Sequence, residues 1–531
     1  MKRILLAVGL VAATAWAAGV FTATAGAVTF RWTNDGDALS MDPYMVNETF
    51  SLFTASNIYD PLVMRDQNLK VRSALAESWK NTTPTTWELK LRKGVKFHDG
   101  ADFSADDVLF SYHRVLSQGS DLKGNFANVV SIEAKDAHTI VITTKVPDPI
   151  LLSLLTTWSI MSKEWAEKNN AQEVTDVRKG TENYATRNAN GTGAYMLVSR
   201  EADVKTVLKR NPNWWGWKDK SLGDGNVDEV VFTPIKQDAT RVAALLSGDV
   251  DMNYNMPAQD VARVKSAGMK VYQGPELRTI FIGMDQKRDE LLESDVKGKN
   301  PFKDKRVRLA LYLAIDEDSI VSKIMQGAAT PATGMVVKEV TGFDPKFKRL
   351  GYDPERAKKL LAEAGYPNGF SVGMDCPNDR YVNDALICQA VVSMWAKIGV
   401  NAKLLAQPKA QYFPKILSRN TSLYMLGWTP VTIDGLDALD NLLLTPGEKI
   451  GRFNLGSYSN PKVDEWANEA RLELNAAKRT KHLQDALDLA HSDVGSIPLH
   501  YQQVIWASSA KVDLTQLASN YFEFFWVKVK P

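Results

Sequence analysis

Strand-like and helix-like stretches alternate along nearly the whole chain, and that interleaving limits the fold more than any other feature. Thr86–Phe97 (TWELKLRKGVKF) and His138–Val146 (HTIVITTKV) mix apolar and polar residues with the period of a half-buried strand. The helices between such runs have readable ends. In FSADDVLFSYHRVL, Ser104 stands as an N-cap with Asp107 three residues on. In YDPERAKKLLAEAGYP, Asp353 caps, Pro354 takes the first turn, Ala357, Leu360, Leu361 and Ala364 form one stripe, and Gly365 closes. Val307, Ala310, Leu311, Ala314 and Ile315 line another face before Asp316 restarts a helix. The pattern predicts an α/β protein. Some five hundred residues exceed what one core holds, so two or three domains are expected, woven together by several chain crossings.

The first residues predict export. Lys2 and Arg3 precede an apolar run and a small-residue site at Ala25–Ala27, which reads as a signal peptide over residues 1–27, cleaved after Ala27. No cysteine lies near the cut, so no lipid anchor is expected. Losing Lys2 and Arg3 from 64 basic residues leaves them level with the 62 acidic ones. A balanced surface offers no broad cationic footprint, so nucleic acid is not an expected partner. The two cysteines, Cys376 and Cys388, share one short stretch of an exported chain, where a disulfide is permitted; two buried thiols are the alternative.

The chemistry of a common enzyme is missing. No G-x-S-x-G elbow, H-E-x-x-H helix, Walker loop or G-x-G-x-x-G turn occurs, and the six histidines are scattered. His98 and Asp99 read as turn residues before the Ser104 helix. Asp35, Asp37 and Asp42, and likewise Asp434, Asp437 and Asp440, lack the ligand spacing of a calcium loop and read as solvated carboxylates. No metal, cofactor or catalytic residue is expected.

Seven blocks in order resemble the extracytoplasmic solute-binding proteins of peptide-type ABC importers, family 5. They are YDPLV (Tyr59–Val63), WELKLRKGVKFHDGADFSADDVLFS (Trp87–Ser111), NGTGAYML (Asn190–Leu197), RNPNWW (Arg210–Trp215), KRVRLALYLAIDEDSIVSKIMQGAATPATG (Lys305–Gly334), YDPERAKKLLAEAGYPNGF and NLGSYSNPKVDE (Asn454–Glu465). The resemblance implies a two-lobed periplasmic-binding-protein fold of the cluster C type with an extra domain inserted in the first lobe. Lobe one is expected at residues 28–72, 190–277 and 504–531, the insert at 73–189 and lobe two at 278–503. It further implies a periplasmic monomer that captures a short peptide or peptide-like conjugate by hinge closure and delivers it to an inner-membrane ABC permease. An oligosaccharide, opine or metal chelate is the alternative ligand, and a secreted hydrolase or peptide chaperone the alternative class. Trp214 and Trp215 become framework rather than a sugar-stacking platform.

Site residues follow from the same resemblance. A carboxylate after a Gly-Trp clamps the ligand's ammonium in dipeptide-like relatives, and LGWTPVTIDGLD offers Asp434, with Asp437 and Asp440 as alternatives in register. Arg380, in CPNDRYVNDALIC, is the candidate for the ligand carboxylate, its alternative being a surface pair with Asp379 or Asp384. Trp428 and Tyr44 are candidate aromatic walls. Asn47, Thr49, Arg278 and Thr279 complete the candidate ligand-binding set.

Overall fold

The computed structural model describes residues 26–176, 180–447 and 450–531; residues 1–25 of the expected signal segment lie outside them. Its organising feature is a pair of long antiparallel strands, Lys270–Met284 and Ile497–Ser508, that run through the middle of an eleven-stranded mixed sheet. On one side the sheet continues through Met252–Asn253, Thr29–Thr33, Glu229–Phe232, Lys205–Arg210 and Tyr195–Glu201. On the other it continues through Leu423–Trp428, Phe370–Pro377 and Val400–Gln407. The two halves of the sheet are called lobe one and lobe two below. A separate four-stranded antiparallel sheet, drawn from Ala76–Thr144, adds a smaller unit beside lobe one.

Local chemistry accounts for most element ends. Ser104 and Asp107 form a complete capping box on helix Ala105–Val115. The Asp353 side chain accepts from the Arg356 amide at 2.9 Å to start helix Pro354–Glu363, and Gly365, at φ +91°, turns the chain away after it. Val307, Ala310 and Leu311 are wholly buried on helix Lys305–Leu313, in the core of one face of lobe two. The strand expected over Thr86–Phe97 is shorter. It ends at Leu91, because Gly94 takes a left-handed φ of 72° and turns the chain.

The tryptophan-rich stretch is framework. Trp214 Nε1 donates to both oxygens of the buried Asp60 at 3.2 Å, Trp215 Nε1 donates at 2.8 Å, and the Thr192 hydroxyl adds a bond at 2.9 Å. Arg92 covers the Trp215 ring at 4.2 Å and Arg210 covers Trp217 at 3.5 Å. The indoles are wall because one carboxylate collects their N–H groups.

The acidic stretch near the N-terminus departs from expectation. Asp42 lies buried against Arg114, with bonds of 2.8 and 2.5 Å, and Asp37 pairs with Arg200 at 3.0 Å. Arginines 72 and 163 positions away make them structural pairs rather than solvated carboxylates. His98 accords with a turn role, its ring Nε2 lying 3.0 Å from the Gly193 carbonyl.

Candidate functional site

Where the two crossing strands pass between lobes, their register slips between Pro275 and Thr279. The slip frees Glu276 and Arg278 from regular pairing and turns them toward each other. Arg278 donates to Glu276 Oε1 through Nε at 3.1 Å and Nη2 at 3.0 Å, while Gln502 Nε2 donates to Oε2 at 2.7 Å. Thr279 is fully buried here, its hydroxyl on the Met335 carbonyl at 3.1 Å, so it faces no open space.

Arg380 stands on the loop between strand Phe370–Pro377 and helix Asp384–Ala396. Two devices fix that loop. A disulfide joins Cys376 to Cys388 across it, and the buried Asp384 carboxylate accepts the backbone N–H of Arg380 at 2.9 Å and of Tyr381 at 3.0 Å. Asp384 is thereby spent on backbone, and Asp379 accepts from the Lys409 amide at 2.6 Å. The Arg380 guanidinium therefore has no carboxylate partner among the described residues. It reaches the face of Tyr381 at 5.0 Å, and Arg278 reaches the same ring at 5.9 Å. Burial, then the charge of Arg278, pulls Arg380 below the ordinary arginine value, with Tyr381, Glu276 and Glu48 acting in the opposite sense.

The acidic loop resolves into three carboxylates with three fates. Asp434 is buried and bound on both oxygens by Arg479, at 2.5 and 2.8 Å, while its Oδ1 also accepts the Leu436 amide at 3.0 Å to cap a short helix. Asp440 is bound on both oxygens by Arg471, at 2.7 and 2.6 Å. Asp437 accepts from Trp428 Nε1 at 2.8 Å, has the Val431 backbone N–H as a second donor beside it, and forms no ion pair with a described residue. Burial pushes its pKa up to about 7, opposed by the indole N–H. Trp428 packs on Phe453 with ring centroids 5.0 Å apart. Ile433, just before Asp434, takes a left-handed φ of 58°, which a β-branched side chain adopts at a cost of about 1–3 kcal/mol. The Asp434–Arg479 clamp beside it holds that strained turn.

The remaining candidates sort by exposure. Asn47 and Thr49 are exposed, flanking Glu48, whose carboxylate caps helix Thr49–Ser56. Tyr44 is fully buried, its hydroxyl on the Ser159 carbonyl at 2.5 Å and its ring beside Arg114, so it belongs to the wall against the smaller sheet and lines no cleft. Thus Arg278 and Arg380 come together, as do Trp428 and the acidic loop. Sequence reasoning missed Tyr381, which no short-range pattern marks. Two recesses of about 230 Å³ (Asp375, Lys415, Ser422) and 280 Å³ (Gly342, Asp344, His491) lie elsewhere in lobe two and are lined by none of these side chains.

Comparison with known proteins places this geometry in context. Residues 70–449 match the family described as "Bacterial extracellular solute-binding proteins, family 5 Middle". The glutathione-binding protein GsiB of Escherichia coli (strain K12) is 27% identical over 481 residues, covering 88% of each chain. The periplasmic binding protein DppA of Helicobacter pylori, solved with the peptide STSA, superposes with a TM-score of 0.76 at 24% identity over 95% of this chain and 98% of that one. AgaA from A.tumefacien R10, solved with agropinic acid, gives 0.74 at 22% over 95% and 99%. Such solved structures share the fold.

Proposed function

The chain belongs to the bacterial extracellular solute-binding proteins of family 5, and on that premise we propose that it captures a short zwitterionic peptide between its lobes and hands it to the permease of an ABC importer. The observation that carries the reading is a charge imbalance. Among the described residues Arg380 and Asp437 are left without ion-pair partners, whereas Asp434, Asp440 and Arg278 are each matched. Unmatched groups in a desolvated cleft are stabilised by a ligand that supplies the opposite charges. In this reading Arg380 takes the ligand carboxylate and Asp437, in place of Asp434, takes the ammonium. Tyr381 and Trp428 give apolar faces with a polar edge to the residues between.

The mechanism is binding coupled to closure. The slip at Pro275–Thr279 is where the two crossing strands leave regular pairing, and a ligand seated on Arg380 and Asp437 of lobe two favours the closed arrangement by its better affinity for it. The likeness to AgaA, solved with agropinic acid, keeps an opine-like conjugate as the second ligand class. Export by a cleaved signal, a periplasmic location and a monomeric state complete the proposal.

A thermal shift on refolded, ligand-stripped protein against a pool of short peptides tests it. A ligand at a hundredfold excess over its Kd adds about 2.7 kcal/mol, which is a clear rise in midpoint. No rise with any peptide, refolding being verified, removes the peptide reading.

A further inference from the structure

The crossing strands join the two lobes, and away from those strands one hydrogen bond spans them among the described residues. Arg65 Nη2, from lobe one, donates to the Thr432 carbonyl of lobe two at 3.0 Å. Arg65 ends the short strand Val63–Arg65, which pairs with Val71–Ser73 in a hairpin. That hairpin is tied to lobe one by Arg72, which donates to Asp219 at 2.6 Å in the segment between strands Lys205–Arg210 and Glu229–Phe232. Its turn is built by the Asp66 carboxylate, which accepts the Asn68 amide at 2.8 Å and the Lys70 amide at 2.9 Å. Leu69 is left at a φ of 62°, and Arg65 Nη1 donates to its carbonyl at 2.8 Å. One arm of the guanidinium fork is fixed on its own hairpin, and the other reaches lobe two.

The loop it reaches is the one that leads to the proposed ammonium site. Thr432 lies between Trp428 and Asp434, in a loop that brings the Val431 N–H beside Asp437 and passes through the strained Ile433. Few ties of its own hold that loop. The hydroxyls of Thr429 and Thr432 have no partner among the described residues, and Ile433 makes two backbone bonds, its N–H to the Pro430 carbonyl at 3.1 Å and its carbonyl to the Thr341 N–H at 3.2 Å. Arg65 meets the loop desolvated, burial bringing it down to about 10. A charge-assisted bond is stronger in such surroundings than in water. Rotating the lobes apart about the crossing strands parts Arg65 from Thr432 and breaks it.

We propose that Arg65 is a positioning residue whose bond to the Thr432 carbonyl latches the two lobes together through the loop that leads to Asp437. The latch needs no ligand, so it holds a closed form in the free protein and prolongs closure over any ligand alike. The inference rests on the peptide reading for the role of Asp437, and the latch itself is tested without a peptide.

Single-molecule fluorescence transfer on refolded, ligand-free protein tests it. Val198→Cys on strand Tyr195–Glu201 of lobe one and Leu417→Cys at the end of helix Lys409–Leu417 of lobe two give two exposed points for dyes, and Cys376 and Cys388 are engaged with each other. Loss of a charge-assisted bond predicts that Arg65→Met opens about ten- to a hundredfold faster than the labelled parent, with closing little changed. Arg65→Lys, which keeps a cationic donor without the fork, falls between. An arginine that served stability alone would lower the melting midpoint and leave the opening rate where it was. An unchanged opening rate in both variants overturns the latch, as does a parent that stands open without ligand. Should Arg65→Met not fold, Arg65→Lys against the parent decides the question. If no peptide raises the melting midpoint while Arg65→Met still opens faster, the peptide reading falls and the latch stands.

Discussion

Asp60 and Asp437 are both carboxylates that meet indoles and form no ion pair, yet one is framework and the other is proposed as ligand site. Asp60 collects three side chains, Trp214, Trp215 and Thr192, all within lobe one and the segment that returns to it. Asp437 collects a single indole, with the Val431 backbone N–H beside it. Burial raises the pKa of both. What separates them is saturation: a buried carboxylate whose lone pairs are filled by its own chain has nothing to offer a ligand, whereas one with fewer donors retains capacity.

The comparison breaks first at Asp60. Asp60→Ala strands two indole N–H groups and a hydroxyl in the core, and a loss of roughly 3–5 kcal/mol is expected in denaturant unfolding, with ligand affinity of the folded fraction unchanged. A small loss would mean that water reaches those donors and that the wall is looser than the structure has it. Asp437→Ala reverses the pattern. Affinity for a free-amine peptide is expected to fall about ten- to a hundredfold by calorimetry, with unfolding nearly unaltered. An equal loss for the N-acetylated peptide would break the ammonium assignment.

Smaller effects sharpen it. Burial, the main cause, raises Asp437 to about 7, so in the free protein the protonated form favours the fold. Its contribution to stability is complete below the ordinary carboxylate pKa of about 4 and is lost as pH rises through about 7. Melting curves from pH 4 to 8 should therefore decline more in wild type than in Asp437→Asn. Glu523, which burial also raises to about 7, supplies decline of the same sign in both proteins. An ammonium favours the ionised aspartate, so peptide affinity should rise from pH 6 to 8 with proton release detectable by calorimetry in two buffers. Trp428→Phe is the mildest change. It removes the side-chain donor on Asp437, and a further upward displacement of the pH at which affinity rises is expected, with less than about 1 kcal/mol change in stability.

Much of the frame was legible because it is written over short distances. Capping Ser104 and Asp353 act on amides two or three residues on, the stripe of Val307, Ala310 and Leu311 repeats every three or four residues, and Cys376 meets Cys388 across 12 positions. Family resemblance located the arginine loop and the acidic loop. The acidic residues were harder. Asp434, Asp437 and Asp440 look equivalent at three-residue spacing, and the Asp42 stretch looks solvent-facing, because nothing in either segment reveals which carboxylate a distant arginine will reach.

Those matches belong to the tertiary structure. Arg479 reaches Asp434 over 45 positions, Arg471 reaches Asp440 over 31, and Arg65 reaches the Thr432 carbonyl over 367. The sequence by itself determined the alternating α/β pattern, the caps, the cysteine pair and the stock of charges, since propensity, capping and periodicity act through neighbours along the chain. Only the folded arrangement decided which of those charges are neutralised and which have no ion-pair partner among the described residues, because burial and ion pairing depend on what the crossing strands bring together in space.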